Sequence, residues 1–116
     1  GNAVGVEGTP DGGAPEDLVV GGVNAGLMLS FLHQMQRRKL EVLAYESSAQ
    51  GTLEHLDEKY RVTKIVVRPR VSLKSADDIA AAREAIRETE GLCMISNSIL
   101  ATVRLDPEFD TPSTPV

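Results

Sequence analysis

The sequence predicts an α+β domain in which one long apolar helix lies on a small, mostly antiparallel sheet. Three observations carry this. An apolar stretch from Leu18 to Leu32 follows a helix-start signal at Pro15. Two consecutive stretches, residues 40–54 and 60–73, alternate with the period of two that a strand face requires. The overall order is helix, strand, strand, helix, short helix, strand. A chain of 116 residues is long enough for one such core and too short for two.

Residues 1–14, GNAVGVEGTPDGGA, are rich in glycine and without periodicity, and are expected to form a flexible lead-in. Pro15 suits the first turn of a helix, where its missing N–H would have no partner in any case. Glu16 and Asp17 place negative charge at the positive end of the helix dipole. The pattern then stays apolar nearly all round to His33 and turns polar through QMQRRK. A helix of about 25 residues is expected, deeply packed at its start and exposed at its end. Arg37, Arg38 and Lys39 complement its C-terminal dipole.

In the first strand, Leu43, Tyr45, Ser47 and Ala49 alternate with Glu46, Ser48 and Gln50. In the second, Thr63, Ile65, Val67, Val71 and Leu73 share one face, with Lys64, Arg68, Arg70 and Ser72 on the other. The polar connection HLDEK predicts an antiparallel hairpin. Pro69 cannot donate to a ladder and predicts an edge or a bulge. Ser75 can cap a second helix, with Asp78 in the third position of a capping box. Ile79, Ala82, Ala85 and Ile86 give it a narrow apolar stripe, and Gly91 is expected to end it in a left-handed conformation. CMISNS reads as a short helical turn, and ILATVRLD as a last strand with Ile99, Ala101, Val103 and Leu105 inward. The domain is expected to span residues 15–109, with residues 110–116 a disordered tail. Three strands leave two open edges and cover only part of so apolar a helix, so oligomerisation is expected.

Seventeen acidic against twelve basic residues, two Phe, two Tyr and no Trp disfavour a nucleic-acid surface. The basic strand residues Arg61, Lys64, Arg68 and Arg70 are the one local alternative. The first apolar run is broken by Gly21, Gly22, Asn24 and Gly26 and falls short of a membrane span. No basic segment precedes it as in a secretory signal. A single cysteine excludes an intrachain disulfide framework, so a cytoplasmic setting is expected, with no membrane partner. His33 and His55 stand apart and have no metal-ligand spacing, and GGVNAG lies inside the helix rather than after a strand. No metal or cofactor is therefore expected. Cys93 remains. At a helix start its thiol would be acidified toward the nucleophilic thiolate; buried, it would be a small apolar residue.

Two segments carry a resemblance. PEDLVVGGVNAGLMLSFL is similar to the central-helix motif of the OsmC/Ohr family, the osmotically induced and organic hydroperoxide resistance proteins. GLCMISNSILATVRLDPEF is similar to that family's second motif, a Cys-Pro-x-Ser turn leading into a strand that ends in Leu-Asp. The resemblance covers residues 14–109. It implies an intertwined homodimer with active sites at the interface, reducing organic and hydrogen peroxides with two cysteines. The cysteine on the central helix attacks, and the one in the second motif resolves the sulfenic acid. A glutamate and an N-terminal arginine organise the attacking thiolate.

Carried over by position, the glutamate matches Glu16, the attacking cysteine falls on Gly26, and the resolving cysteine falls on Cys93. Met94 stands where the motif has proline, and Ser96 matches its serine. Residues 1–14 contain no arginine, and the first in the chain is Arg37. The resemblance therefore implies a two-cysteine cycle that cannot run within this chain. Two expectations follow. The first is a dimeric OsmC-like module that binds a small hydrophobic ligand in the space left at Gly26. The second is a one-cysteine peroxidase or redox sensor that uses Cys93 on organic hydroperoxides.

Overall fold

The computed structural model describes residues 3–7 and 15–112. In chain order the elements are β1 (Ala3–Glu7), α1 (Pro15–Arg37), β2 (Val42–Leu56), β3 (Lys59–Leu73), a 3₁₀ turn (Ala76–Asp78), α2 (Ile79–Leu92), α3 (Met94–Asn97), β4 (Thr102–Leu105) and β5 (Glu108–Asp110). This is the α+β class that the periodicities predict, with helices laid on a mostly antiparallel sheet.

β2 and β3 form the predicted hairpin, paired from Val42↔Leu73 to Leu56↔Lys59 with register shifts between Val42 and Ala44 and between Thr52 and Leu53. The connection is tighter than HLDEK suggests. Only Asp57 and Glu58 lie outside the strands, and both take positive φ (50° and 63°). Such a pair matches the right-handed twist of the strands it joins, as in a two-residue primed turn. β1 pairs antiparallel with β2 on its far side. Ala3–Glu7 are thus an edge strand, which corrects the flexible lead-in expected there; residues 8–14 lie outside the described residues. β4 and β5 pair with β3 in parallel, at Lys64–Val67 and Arg70–Ser72 respectively. Parallel pairing needs a long crossover, which α2 and α3 supply.

Pro69 sits on a central strand, not at the sheet's edge, and the hairpin's register shifts fall elsewhere. Its place is the interval between the β4 and β5 pairings, where β3 is unpartnered on that side, so a missing N–H is tolerated. Gly91 does not end α2 either. No described glycine has positive φ, and the helix runs to Leu92, stopping because Cys93 turns extended (φ −68°, ψ 116°). The last strand is shorter than ILATVRLD, starting only at Thr102. Residues expected in the tail are also ordered. Asp110 closes β5 and Thr111 is buried, while Arg83 of α2 stacks over the Phe109 ring at 5.2 Å. Residues 113–116 lie outside the described residues.

The core lies between the inner faces of α1, α2 and the hairpin. Val20, Val23, Leu27, Phe31 and Met35, one stripe of α1, are fully buried. They meet Ile65, Val67, Val71 and Leu73 of β3 and the small face of α2, Ala82 and Ala85. Small residues on α2 let the two helices approach closely. α1 closes with Lys39 in the left-handed region (φ 58°), while Lys39 N–H bonds Gln36 and Leu40 N–H bonds Met35. This is the Schellman pattern of helix termination with lysine in the usual glycine position. Arg38 then pins this end to α2 through a 2.8 Å ion pair with Glu88, and also donates to Gln34. Ser75 caps the 3₁₀ turn ahead of α2, accepting from Asp77 N–H, while Asp78, expected to complete a capping box, makes no side-chain cap bond.

The opposite face of α1 is apolar as well, but no described element covers it. Leu18 and Leu29 are 63% and 64% exposed, and α3 and its flanks add Leu92, Met94 and Leu100.

Candidate functional site

Cys93 is placed by the break between α2 and α3. Its N–H still donates to Thr89 O (3.1 Å), its carbonyl accepts from Asn97 N–H (3.0 Å), and its extended backbone turns the side chain toward α1. There it meets Gly26. A Cβ built at Gly26 would lie 3.5 Å from Cys93 Sγ, 3.0 Å from Ile95 Cγ1 and 3.3 Å from Ile95 Cβ. The two positions linked by sequence motif, 26 and 93, are therefore in contact across the α1–α3 packing. The space at Gly26 is not an open pocket, however, because Ile95 fills it. The physical reason is packing: a side chain from α3 takes up the room glycine leaves on α1.

The thiol is covered (1% exposed), yet its cover is thin, since Ile95 is itself 44% exposed. Burial pushes the Cys93 thiol up. Hydrogen bonds from the Ser96 hydroxyl, the Ser96 and Ile95 backbone N–H groups and the Ser30 hydroxyl outweigh it, and hold the thiol below its ordinary range. α3 is a single turn of four residues, so the acidification comes from these local donors rather than from a long helix dipole. Ser96 Oγ is shut off from solvent and, beyond its approach to the thiol, has no other hydrogen-bond partner.

Glu16 is not part of this cluster. It lies ten residues before Gly26, about 15 Å along the helix, in an open groove of about 500 Å³ lined by Pro15, Val19, Leu53, Tyr60, Arg61 and Val62. Of the remaining candidates, His33 is exposed and His55 stacks on Tyr60 at the hairpin end (4.6 Å). Arg68 and Arg70 face Asp106 (3.8 Å) and Glu108 (3.5 Å) on the outer sheet face. Among the described residues no three His, Cys, Asp or Glu side chains gather into a metal-ligating group.

The decisive comparison is with protein families: the model of the OsmC-like protein family matches residues 8–108. This chain belongs to the OsmC-like family. Solved structures agree in fold. The OsmC-like protein of Vibrio cholerae is 27% identical with a TM-score of 0.73, over 80% of this chain and 62% of that one. The present chain thus spans 62% of the Vibrio protein's length. The organic hydroperoxide resistance protein OhrB of Bacillus subtilis is 23% identical (TM-score 0.61, 85% of this chain and 71% of that one). The organic hydroperoxide resistance protein OsmC of Legionella pneumophila is 20% identical (TM-score 0.60, covering 86% and 72%). No curated protein sequence matches.

Within this OsmC-like chain, sequence reasoning found Gly26, Cys93 and Ser96 but missed three participants. Ser30 follows Gly26 by one helical turn and so shares its face, a signal that the i, i+4 spacing contained. Ile95 offered no signal, because its role depends on the side chain absent at Gly26. Arg61 was read only as part of a basic strand face. The long hairpin brings it to the groove that holds Glu16, and no local pattern shows that.

Proposed function

We propose that this OsmC-like protein is a hydroperoxide-reactive single-thiol protein that works as a homodimer, with Cys93 as its reacting group. The observation that carries the reading is the environment of Cys93, where Ser30, Ser96 and the α3 N–H groups hold the thiol below its ordinary range. Gly26 stands where the family's motif has its attacking cysteine. The 3.5 Å approach of a Cβ at that position to Cys93 Sγ supports the correspondence, since it puts the two positions in side-chain contact. With that partner gone, the cycle needs an outside reductant. The Cys93 thiolate attacks the terminal peroxide oxygen; the S–O bond forms as the O–O bond breaks, and the alkoxide leaves and takes a proton to become an alcohol. A small thiol then condenses with the sulfenic acid, releasing water. A second thiol displaces the mixed disulfide and restores Cys93.

The homodimer is supported by the large apolar side chains that α1, α3 and its flanks leave exposed, Leu18, Leu29, Met94 and Leu100. The reading is tested by peroxide consumption in a thiol-coupled assay. Turnover by the native chain and its loss in Cys93→Ser are expected; equal consumption by both proteins would overturn it.

The small-ligand reading has a specific place of its own, the mostly apolar groove between Val19, Leu53 and Val62, with Glu16 and Arg61 at its rim. Enhanced fluorescence of an anilinonaphthalene sulfonate probe, lost in Val62→Glu, is the expected sign. Equal enhancement in both proteins would remove this reading.

A further inference from the structure

The geometry points to Ile95 as the residue that controls admission to the Cys93 thiol, by using the space that glycine leaves at position 26. This inference rests on the single-thiol reading above, and adds to it which side chain decides what reaches the sulfur.

A methyl group at Gly26 would sit 3.0 Å from Ile95 Cγ1, tighter than most real contacts, so Ile95 would have to give way by a few tenths of an ångström, while its 3.5 Å distance to Cys93 Sγ would be ordinary contact. The side chain that fits into the glycine's place is therefore Ile95, not the cysteine. In that position Ile95 covers a sulfur left only 1% exposed. The cover is nevertheless held on one side alone. Ile95 lies in a single helical turn, 44% of it is already in water, and its neighbour Met94 is 79% exposed. Swinging Ile95 away from α1 gives up only part of a side chain's burial, and no hydrogen bond of its side chain is broken. Of the donors that stabilise the thiolate, Ser30 belongs to α1, Ser96 is the next residue of α3, and the Ile95 N–H is a backbone group. The Ile95 side chain can rotate without moving any of them. A cover of this kind discriminates by size, since a small reagent needs a small displacement and a bulky one a full rotamer change.

The experiment follows the rate of Cys93 alkylation in the native chain, in Ile95→Ala and in Gly26→Ala, with iodoacetamide as the small reagent and N-benzylmaleimide as the bulky one. Ile95→Ala is expected to raise the maleimide rate about tenfold and the iodoacetamide rate less, because the lost burial is that of about half a side chain. Gly26→Ala is expected to raise both rates by a smaller factor, since its methyl group displaces Ile95 by a few tenths of an ångström and loosens the cover. The pH profile separates an opened cover from an unfolded chain. An opened cover keeps the thiol's midpoint below that of a free thiol, whereas unfolding returns it to the free-thiol value. Unchanged rates in a folded Ile95→Ala, or a faster maleimide reaction in neither variant, would overturn the role of Ile95. The single-thiol reading fails separately, if peroxide leaves Cys93 unoxidised even in Ile95→Ala.

Discussion

Helix α1 has two apolar faces with opposite fates. The inner face, Val20 through Met35, is sealed at every position by β3 and α2, and its partners are long, regular elements of the same chain. The outer face, Leu18, Gly22, Ala25 and Leu29, meets none of the described elements, and the flank beside it is closed over Cys93 by one turn of helix. The inner face is a stability device and tolerates nothing smaller. The outer face and its flank are built from contacts that can open or be completed by another molecule. Chemistry needs the second kind, because a thiol locked in a sealed core meets no substrate.

The largest expected effect tests this contrast directly. Phe31→Ala on the inner face should cost about 3–5 kcal/mol in urea unfolding, from lost transfer energy and an unfilled cavity. Leu29→Ala on the outer face should stay within about 0.5 kcal/mol when measured on the dissociated chain. Similar losses at both sites would erase the distinction.

The next effect probes the flank. Gly26→Cys should form a disulfide with Cys93 once oxidised, leaving no titratable thiol and stabilising the oxidised over the reduced form by about 2–4 kcal/mol. Ile95 must yield a few tenths of an ångström for this to happen. Two free thiols after mild oxidation would show that positions 26 and 93 do not face each other as described. The outer face is tested by Leu18→Lys combined with Leu29→Lys. In sedimentation this pair should weaken self-association about a hundredfold, or ~2.8 kcal/mol. A native chain that is monomeric at high concentration would contradict the dimer.

The smallest effect lies at the helix end. Lys39→Gly should stabilise the chain by about 1 kcal/mol, by relieving the left-handed backbone at φ 58°.

The contrast also explains what could be read in the sequence. The inner faces were legible because burial imposes period: Ile65, Val67, Val71 and Leu73 alternate, and Ala82, Ala85 and Ile86 recur at helical spacing. Positions 26 and 93 were legible only as motif positions. Their contact joins residues far apart in the chain, and no local pattern encodes it. β1 was hidden because Ala3–Glu7 pair as an edge with β2 and have no strong alternation of their own. Gly91 misled because glycine signals a helix end only where the chain must turn left-handed, and here the exit through Cys93 is extended. Pro69 misled because the sheet tolerates it in a gap between two partners, a feature of tertiary pairing. Ile95 was invisible because its importance comes from an absent side chain.

The state of the thiol sets the sign of the pH dependence. A depressed thiol pKa means that the folded chain favours the thiolate. Its contribution to stability is fully present above the unfolded thiol's pKa, and is lost as pH falls through the folded value. The stability of the native chain relative to Cys93→Ser should therefore rise with pH across that window. The most direct measurement is trapping of the Cys93 sulfenic acid with dimedone after one equivalent of cumene hydroperoxide at pH 7, read by mass spectrometry. Formation of the Cys93 adduct much faster than the same peroxide oxidises glutathione is the predicted result. A Cys93 that stays a thiol, or oxidises no faster than glutathione, would contradict the account.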